Sequence, residues 1–473
     1  MRHFAGRSFH SRLAAALVLL IMLAGAGHAT DAPFNWKALE DEAVSLLIRY
    51  IQIDTTNPPG NEIQAARFFK EIFDREGIET KIIESAPGRG NIYARLPGDG
   101  SKKGVILLNH MDVVPAAANL WKEPPFSGVI KDGVIWGRGA LDMKGSAIIE
   151  LAALLALKRQ NIRLKGDVAF LGTADEEAGG AMGAGYLVAR HPEFFKDVGL
   201  VLNEGGGIRV GKDGKARVYN VSVAEKTPLW LKLTAAGRPG HGSTPGTDLA
   251  VNKLLAALQR IMNYQSPIKI VPEVEKFYAD LAVSEPEPRR SHYSHLRKAL
   301  DDAAFRAEFL KDARNRASVR NTIAITRIQG ADKVNVIPAF ATAEIDARLL
   351  PGEDPQAFVD ALRQIISDES VKIEILLSFP AATSPPHPEA MRVIREFAEA
   401  HDPGVRVVAP LVRGFTDCHF FREKGIPCLG FMPQRRGPAE DGLAHGIDER
   451  ISAGSLKFGI RALYDIVRRL AAE

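Results

Sequence analysis

Hydrophobic and polar positions along this chain follow two periods, helical and alternating, and their order changes twice. Asp41 to Tyr50 and Glu62 to Glu76 carry apolar residues at helical spacing. Between them, Thr55-Thr56-Asn57-Pro58-Pro59-Gly60 forms a loop, because two prolines and a glycine stop a helix. Short apolar runs follow at Gly104–Asn109, Asp167–Thr173 and Gly199–Asn203, each closed by polar or glycine-rich residues. The alanine- and leucine-rich run from Met143 to Leu157 is long enough for a buried helix. Strands alternating with helices predict an α/β fold with a doubly wound, mostly parallel sheet.

From about Val221 the order changes. Leu229–Ala235, Thr322–Ile328, Ala341–Leu349 and Val371–Leu377 alternate as strands, while Asp248–Met262 and Pro355–Ile366 have helical spacing. The result is strand, helix, strand, strand, helix, strand: an inserted βαββαβ, ferredoxin-like domain. A charged, helix-like stretch from Ser291 to Ala317 interrupts it. After about Ser384 the first pattern returns, with a helix at 389–401, strands at 405–409 and 426–431, and a last helix from about Ala453. The expected division is therefore a leader at 1–29, one domain from 30–220 and 384–473, and an inserted domain at 221–383.

Length and composition sharpen this reading. A chain of 473 residues exceeds one compact core. Apolar residues at 46% and charged residues at 25% are ordinary for a soluble protein. Residues 1–29 read as a signal peptide, with a basic stretch ending at Arg12, an apolar run from Leu13 to Ala24, and small residues up to Ala29. An uncleaved membrane anchor is the competing reading. Removing the leader's three arginines lowers the formal net charge from +4 to +1, so no nucleic-acid or anionic-membrane partner is expected. The expected location is secreted or periplasmic. Cys418 and Cys428 are the only cysteines; they form a disulfide or stay as two small buried residues, and spacing alone does not decide.

Ligands of open α/β sheets gather at the carboxyl ends of strands. Here those ends carry His110-Met111-Asp112, Asp175-Glu176-Glu177 and Glu204, and Asp142 opens the buried helix. Each signal alone is weak, since a strand ending in acids is usually a solvated turn. Together they place several carboxylates and a histidine beside apolar segments, where unpaired carboxylates are costly and repel one another. A metal cation explains the set economically. Histidine and carboxylate ligands without thiolate suit zinc, cobalt or manganese.

The motifs resemble those of the two-zinc metallopeptidases that include aminoacylase, acetylornithine deacetylase, succinyl-diaminopimelate desuccinylase and glutamate carboxypeptidase. The matching stretches are Asn109 to Pro115, Gly137 to Gly145, Asp175-Glu176-Glu177, Gly240 to Pro245, Asn335 to Pro338 and Ala444-His445-Gly446. They span nearly the whole chain after the leader. Val223 to Pro245 and Gly430 to Pro433 look nearest to the aminoacylase and carboxypeptidase branches. Asn109 stands where glycine is frequent.

The resemblance implies two zinc ions per chain, with cobalt or manganese as substitutes. His110 and Glu204 would bind one, Glu177 and His445 the other, and Asp142 would bridge them. Asp112 would hydrogen-bond His110 from behind, and Glu176 would act as general base toward a metal-bridging hydroxide. His241 would reach the site of a partner subunit. Arg348, assisted by Asn335, would grip a substrate carboxylate with its guanidinium fork. The backbone of Gly414-Phe415-Thr416-Asp417 would lie near substrate. The inserted domain would act as lid and dimerisation domain of a homodimer.

The implied activity is cleavage of an amide bond next to a free carboxylate, in an N-acyl amino acid or a small peptide. A dipeptidase or carboxypeptidase rather than a deacylase is the nearest alternative. A non-catalytic periplasmic metal-dependent binding protein is the reading from a different class; such a protein would be expected to lack Glu176 or one of the ligands.

Overall fold

The computed structural model describes residues 33–473, so the expected leader at 1–29 lies outside the described residues. The larger sheet has six strands in the order Glu79–Ala86, Arg89–Leu96, Val168–Thr173, Gly104–His110, Val198–Asn203 and Cys428–Gly430. The last four run parallel, and the first two form an antiparallel edge. Gly104–His110 and Val168–Thr173 are buried along their whole length, which is why they read as continuous apolar runs. The helix Lys144–Arg159 is buried from Lys144 to Leu157 and packs against the last helix, Ala453–Ala471. The α/β class expected from the alternation is what the chain adopts.

A second sheet has the order Thr322–Gln329, Phe340–Leu349, Thr227–Ala236, Val371–Ser378, antiparallel throughout. Leu229, Leu231 and Leu233 on one strand and Ile345, Ala347 and Leu349 on its neighbour share a core with Ala250–Asn263 and Pro355–Ile366. Period-two alternation therefore puts Trp230, Asp346 and Arg348 on the opposite face. The order of elements is the expected βαββαβ.

The helical insertion differs from expectation. It starts at Pro272, not Ser291, and comprises Pro272–Ala282, Arg289–Ser294, Leu296–Ala299, Ala303–Lys311 and Ala313–Ser318. Pro272 occupies the first turn of its helix, where the missing N–H costs nothing. Val274, Tyr278, Leu296 and Phe309 form a core that also takes in Ala224, Leu350 and Leu411. The insertion is thus packed onto the segments that connect the two sheets.

Those connections are tied down by buried polar groups. Glu225 pairs with Arg422 at 3.2 Å, both buried, and accepts the Thr416 hydroxyl at 3.0 Å. Lys226 donates to the carbonyls of Arg320 at 2.8 Å and Ala317 at 3.2 Å, which cap the end of the insertion. Cys418 and Cys428, left open by sequence, form a buried disulfide between the Cys418–Arg422 helix and the last strand of the larger sheet. Among the described residues no helix is long and apolar enough to cross a membrane.

Candidate functional site

Three neighbouring parallel strands end at one edge, and their ends carry His110, the Asp175–Glu177 turn and Glu204. His110 Nε2 lies 3.2 Å from Asp142 Oδ1, 3.5 Å from Glu204 Oε1 and 3.9 Å from Glu176 Oε2. His445 Nε2 lies 3.0 Å from Glu177 Oε2 and 3.3 Å from Asp142 Oδ2. Asp142 therefore presents one oxygen to each histidine. Six side chains from five separate stretches of the sequence converge within a few ångströms.

One of them, His445, and Asp175, which leads into Glu176, are held in left-handed backbone. Asp175 has φ 72° and His445 φ 60°. Such a conformation costs a non-glycine residue about 1–3 kcal/mol. At Asp175 the cost is offset by its carboxylate, which accepts from Arg89 at 2.9 Å and from the Met182 N–H at 3.1 Å. Arg89 is itself clamped by buried Glu62 through two bonds of 2.7 and 2.8 Å. The turn that aims Glu176 and Glu177 is thus fixed from behind by an ion-pair network.

Asp112 differs from expectation. The Nδ1–H of His110 donates to the main-chain carbonyl of Asp112 at 3.0 Å, while the carboxylate stands off at 3.6 Å. That carboxylate is engaged elsewhere, accepting from Asn57 at 2.8 Å and from the backbone N–H groups of Glu176 and Glu177, both at 3.1 Å. A carbonyl can only accept, so the tautomer is still set: Nδ1 carries the proton and Nε2 faces the acids.

The electrostatics show a crowded anionic site. Burial is the main cause that pushes Glu176 well above the carboxylate range, with Glu204, Glu177 and Asp417 adding to it and His110 opposing. Glu177 is pushed up to about 7 by burial and by Asp142. His445 is pushed up to about 10 by its bonds to Asp142 and Glu177. Burial opposes the charging of His110, yet Asp112, Asp142 and Glu204 hold it well above its usual value. The only ion-pair partners of Asp142, Glu176, Glu177 and Glu204 among the described residues are the two histidines. Ligand atoms of His110, Glu176 and Glu204 lie within 4.8 Å of one another, as do those of His110, Asp142 and Glu177. Nitrogen and carboxylate donors in surplus negative charge fit divalent cations.

Among the described residues no hydrogen bond or ion pair joins the other expected residues to this cluster. His241 and Asn335 sit together on the inserted domain, where the Gly242 N–H donates to the Asn335 carbonyl at 2.9 Å. His241 is exposed, and its Nδ1 meets Ser243 at 2.7 Å. Arg348 does not present a free fork. Its Nε and Nη2 donate to the two carboxylate oxygens of Asp346 at 2.7 and 3.0 Å, and its guanidinium lies over Phe415 at 4.8 Å.

Sequence reasoning missed several residues that shape the site. Buried Glu449 accepts from Arg138 at 2.7 Å and from the N–H groups of Gly139, Leu141 and Asp142 at 3.0, 2.7 and 2.9 Å. It holds the loop that carries Asp142, and its place four residues after His445 was the only signal. Asp417 accepts the Thr173 hydroxyl at 2.7 Å and is pushed up to about 8 by burial. Arg436 is fixed by Gln434 and the Leu141 carbonyl, with Asp142 and Glu204 among its nearest charges.

Comparison with known proteins points the same way. The model of Peptidase family M20/M25/M40 matches residues 106–469. The chain is 28% identical over 412 residues to the human N-fatty-acyl-amino acid synthase/hydrolase PM20D1, covering 85% of this chain and 80% of that protein. It is 29% identical over 437 residues to human aminoacylase-1, covering 91% and 95%. Among solved structures, the M20 family metallo-carboxypeptidase Sso-CP2 from Sulfolobus solfataricus superimposes with a TM-score of 0.70 at 19% identity, covering 91% of this chain and 99% of that one. This last likeness shows the fold.

Proposed function

The chain belongs to peptidase family M20/M25/M40, and from that premise we propose that it is a metal-dependent hydrolase of an amide bond next to a free carboxylate, in N-acyl amino acids or small peptides. The observation that carries this reading is the placement of Asp142, one oxygen toward His110 and the other toward His445. His110 and Glu204 would hold one divalent cation and Glu177 and His445 a second, with Asp142 between them. Zinc suits this donor set, and cobalt or manganese are its substitutes. When bound, the cations supply Lewis acidity that polarises the scissile carbonyl and acidifies water.

The protein's own residues do the rest. Glu176 is buried beside the cluster, and among the described residues its one ion-pair neighbour is His110; bound cations would offset the burial and like charges that raise it and favour the carboxylate form that takes a proton from water at Oε. The same group then delivers that proton to the departing amide nitrogen, a poor leaving group unless protonated. The main-chain carbonyl of Asp112 keeps the His110 ring oriented. The resemblance to the human N-fatty-acyl-amino acid synthase/hydrolase and aminoacylase-1 favours an N-acyl amino acid over a peptide substrate.

Boundaries and assembly complete the proposal. We assign 30–220 and 384–473 to the catalytic domain and 221–383 to the inserted domain, since all four strands of the smaller sheet lie between Thr227 and Ser378. A homodimer through the inserted domain is supported by the exposed Leu255, Met262 and Ile328 on its outer helix and edge strand. Among the described residues no hydrogen bond or ion pair joins His241 to its own chain's cluster, in keeping with a place in the partner's site. Export is supported by the leader pattern and by the disulfide, which persists in oxidising compartments.

The deciding experiment is hydrolysis of a panel of N-acyl amino acids and dipeptides by the mature protein, with metal content measured before and after chelation. Chelator-sensitive turnover with about two metals per chain is expected from a two-cation site. Turnover that survives complete metal removal refutes the reading.

A further inference from the structure

We propose that Trp230, Phe379 and Phe415 form a subsite for a large apolar group of the substrate, placed beside its carboxylate. This rests on the hydrolase reading above and names the substrate class that reading leaves open.

The subsite is built from two parts of the chain. Trp230 projects from the face of the smaller sheet that the helices leave uncovered, paired across the strands with Asp346 and diagonal to Arg348. Phe415 comes from the loop that also carries Thr416 and Asp417. The rings form a continuous run. Trp230 and Phe415 are 6.1 Å apart, Phe415 and Phe379 meet edge-on at 5.3 Å, and Phe379 stacks on His419 at 3.7 Å. All three proposed residues are half-buried, so each ring keeps an open surface. Burial, reinforced by Arg422, pushes His419 down to about 3, so the floor of this run is a neutral ring.

The run adjoins the reactive centre. Asp417, two residues beyond Phe415, is bonded to Thr173 at the end of the strand that leads into Glu176. On the other side, Leu377, two residues before Phe379, closes on the turn: a methyl group added at Gly179 would stand 2.8 Å from its side chain. The segments that carry these rings are thus joined on both sides to the segments that carry Glu176 and Glu177.

Two unmet hydrogen-bond donors mark the polar edge of the subsite. Trp230 Nε1 and Arg348 Nη1 are buried and have no acceptor, although the rest of the Arg348 fork is filled by Asp346. Buried donors without partners are costly, and both side chains flank Phe415. A carboxylate seated beside Phe415 would offer acceptors at this edge. Because Asp346 already balances Arg348, the surroundings are close to neutral, and an apolar neighbour is not penalised by a free charge. Aromatic walls with a few fixed donors are the usual make-up of a pocket for an apolar ligand.

The apolar group can come from the acyl chain or from the amino-acid side chain, and the test separates the two. Wild type, Phe415→Ala and Trp230→Phe are compared on N-dodecanoyl-glycine, N-acetyl-phenylalanine and N-acetyl-alanine. For wild type, kcat/KM is expected to favour at least one large substrate over N-acetyl-alanine. In Phe415→Ala that ratio falls about 10- to 100-fold, through KM. The substrate whose ratio collapses identifies the source of the group. Trp230→Phe keeps a ring but loses the donor, so KM rises about 10-fold with the ratio retained. Binding is read separately from turnover, by intrinsic fluorescence with dodecanoate and 3-phenylpropanoate as probes. One of them should perturb the wild-type signal and leave Trp230→Phe unperturbed. An unchanged ratio in Phe415→Ala, or probes that act equally on Trp230→Phe, overturns the subsite. Loss of turnover on all three substrates with the probe response intact refutes the hydrolase reading and leaves the subsite standing.

Discussion

Replacing Glu449 by glutamine tests whether the loop carrying Asp142 is held in place by a buried carboxylate. The substitution keeps size and shape but turns one of the two oxygens into an N–H donor. In the native chain Oε2 accepts from Arg138 and Gly139, and Oε1 accepts from Leu141 and Asp142. Only one of these pairs can keep an acceptor in Glu449→Gln. If the amide nitrogen faces the Oε2 pair, buried Arg138 loses its carboxylate and a backbone N–H is orphaned. If it faces the other pair, the N–H of Asp142 itself is orphaned. Breaking one side of a buried ion pair costs about 3–5 kcal/mol, and each orphaned N–H about 1–3 kcal/mol. A loss of about 3 kcal/mol in unfolding free energy is therefore expected. Metal affinity should fall about 10- to 100-fold, because Asp142 is no longer aimed. Urea unfolding followed by circular dichroism, and titration of zinc into metal-free protein, read the two effects. A stability change below about 0.5 kcal/mol with unaltered zinc affinity refutes the account, since losses of that size are within those of ordinary surface changes.

Three further outcomes follow from particular residues. Glu176→Gln should lose turnover by about 10²-fold or more while retaining two metals, as expected for a proton carrier; loss of a metal ion instead would make Glu176 a ligand and refute that role. Lys226 is pushed down to about 7, first by burial and then by Arg348 and Arg413. An unfolded lysine titrates near about 10.4, so between these values only the unfolded chain holds the extra proton and stability rises with pH. Below about 7 both states are protonated and the slope ends. Lys226→Met should flatten the pH 7–10 segment of a urea-midpoint profile, and a slope of unchanged size would show that another group causes it. Mass spectrometry of the exported protein should find a chain beginning at Thr30, and an intact Met1 would overturn the leader reading.

The sequence exposed the fold because burial writes itself into periodicity. Gly104–His110 and Val168–Thr173 are buried on both faces and read as unbroken apolar runs, while Thr227–Ala236 alternates because one face is open. The carboxylates and histidines of the cluster were legible for the same reason: charged residues at the ends of buried strands need a partner. The insertion was legible only in part. Its first helix begins with Pro272 and follows Pro267, and in sequence that punctuation reads as loop. Contacts made by main-chain atoms were invisible. Nothing in the spacing of His110 and Asp112 reveals that the carbonyl, not the carboxylate, meets Nδ1, because that depends on where the strand ends and how the Glu176 turn approaches. Glu449 was hidden likewise, since three of its four partners are backbone N–H groups.

The same limit applies to Arg348, and it bears on how substrate is recognised. An arginine on a strand of the inserted domain reads as a free carboxylate fork until its neighbour two residues earlier is seen to fill it. Alternation along Phe340–Leu349 puts Asp346 and Arg348 on one face, so the pair forms within a single strand and does not depend on how the two sheets approach. A substrate carboxylate bound as proposed would then meet a balanced ion pair with one donor left over, in place of an unpaired cation. The electrostatic gain from such a pair is small, because the attraction to Arg348 is opposed by repulsion from Asp346. In the proposed subsite, Arg348 Nη1 and Trp230 Nε1 would orient the carboxylate, and discrimination among substrates would fall to what lies on the rings of Phe415 and Phe379. Removing the aspartate in Asp346→Asn frees the guanidinium, so KM for carboxylate substrates should fall while the preference for apolar groups weakens. A rise in KM would show that Asp346 serves chiefly to hold Arg348 in position.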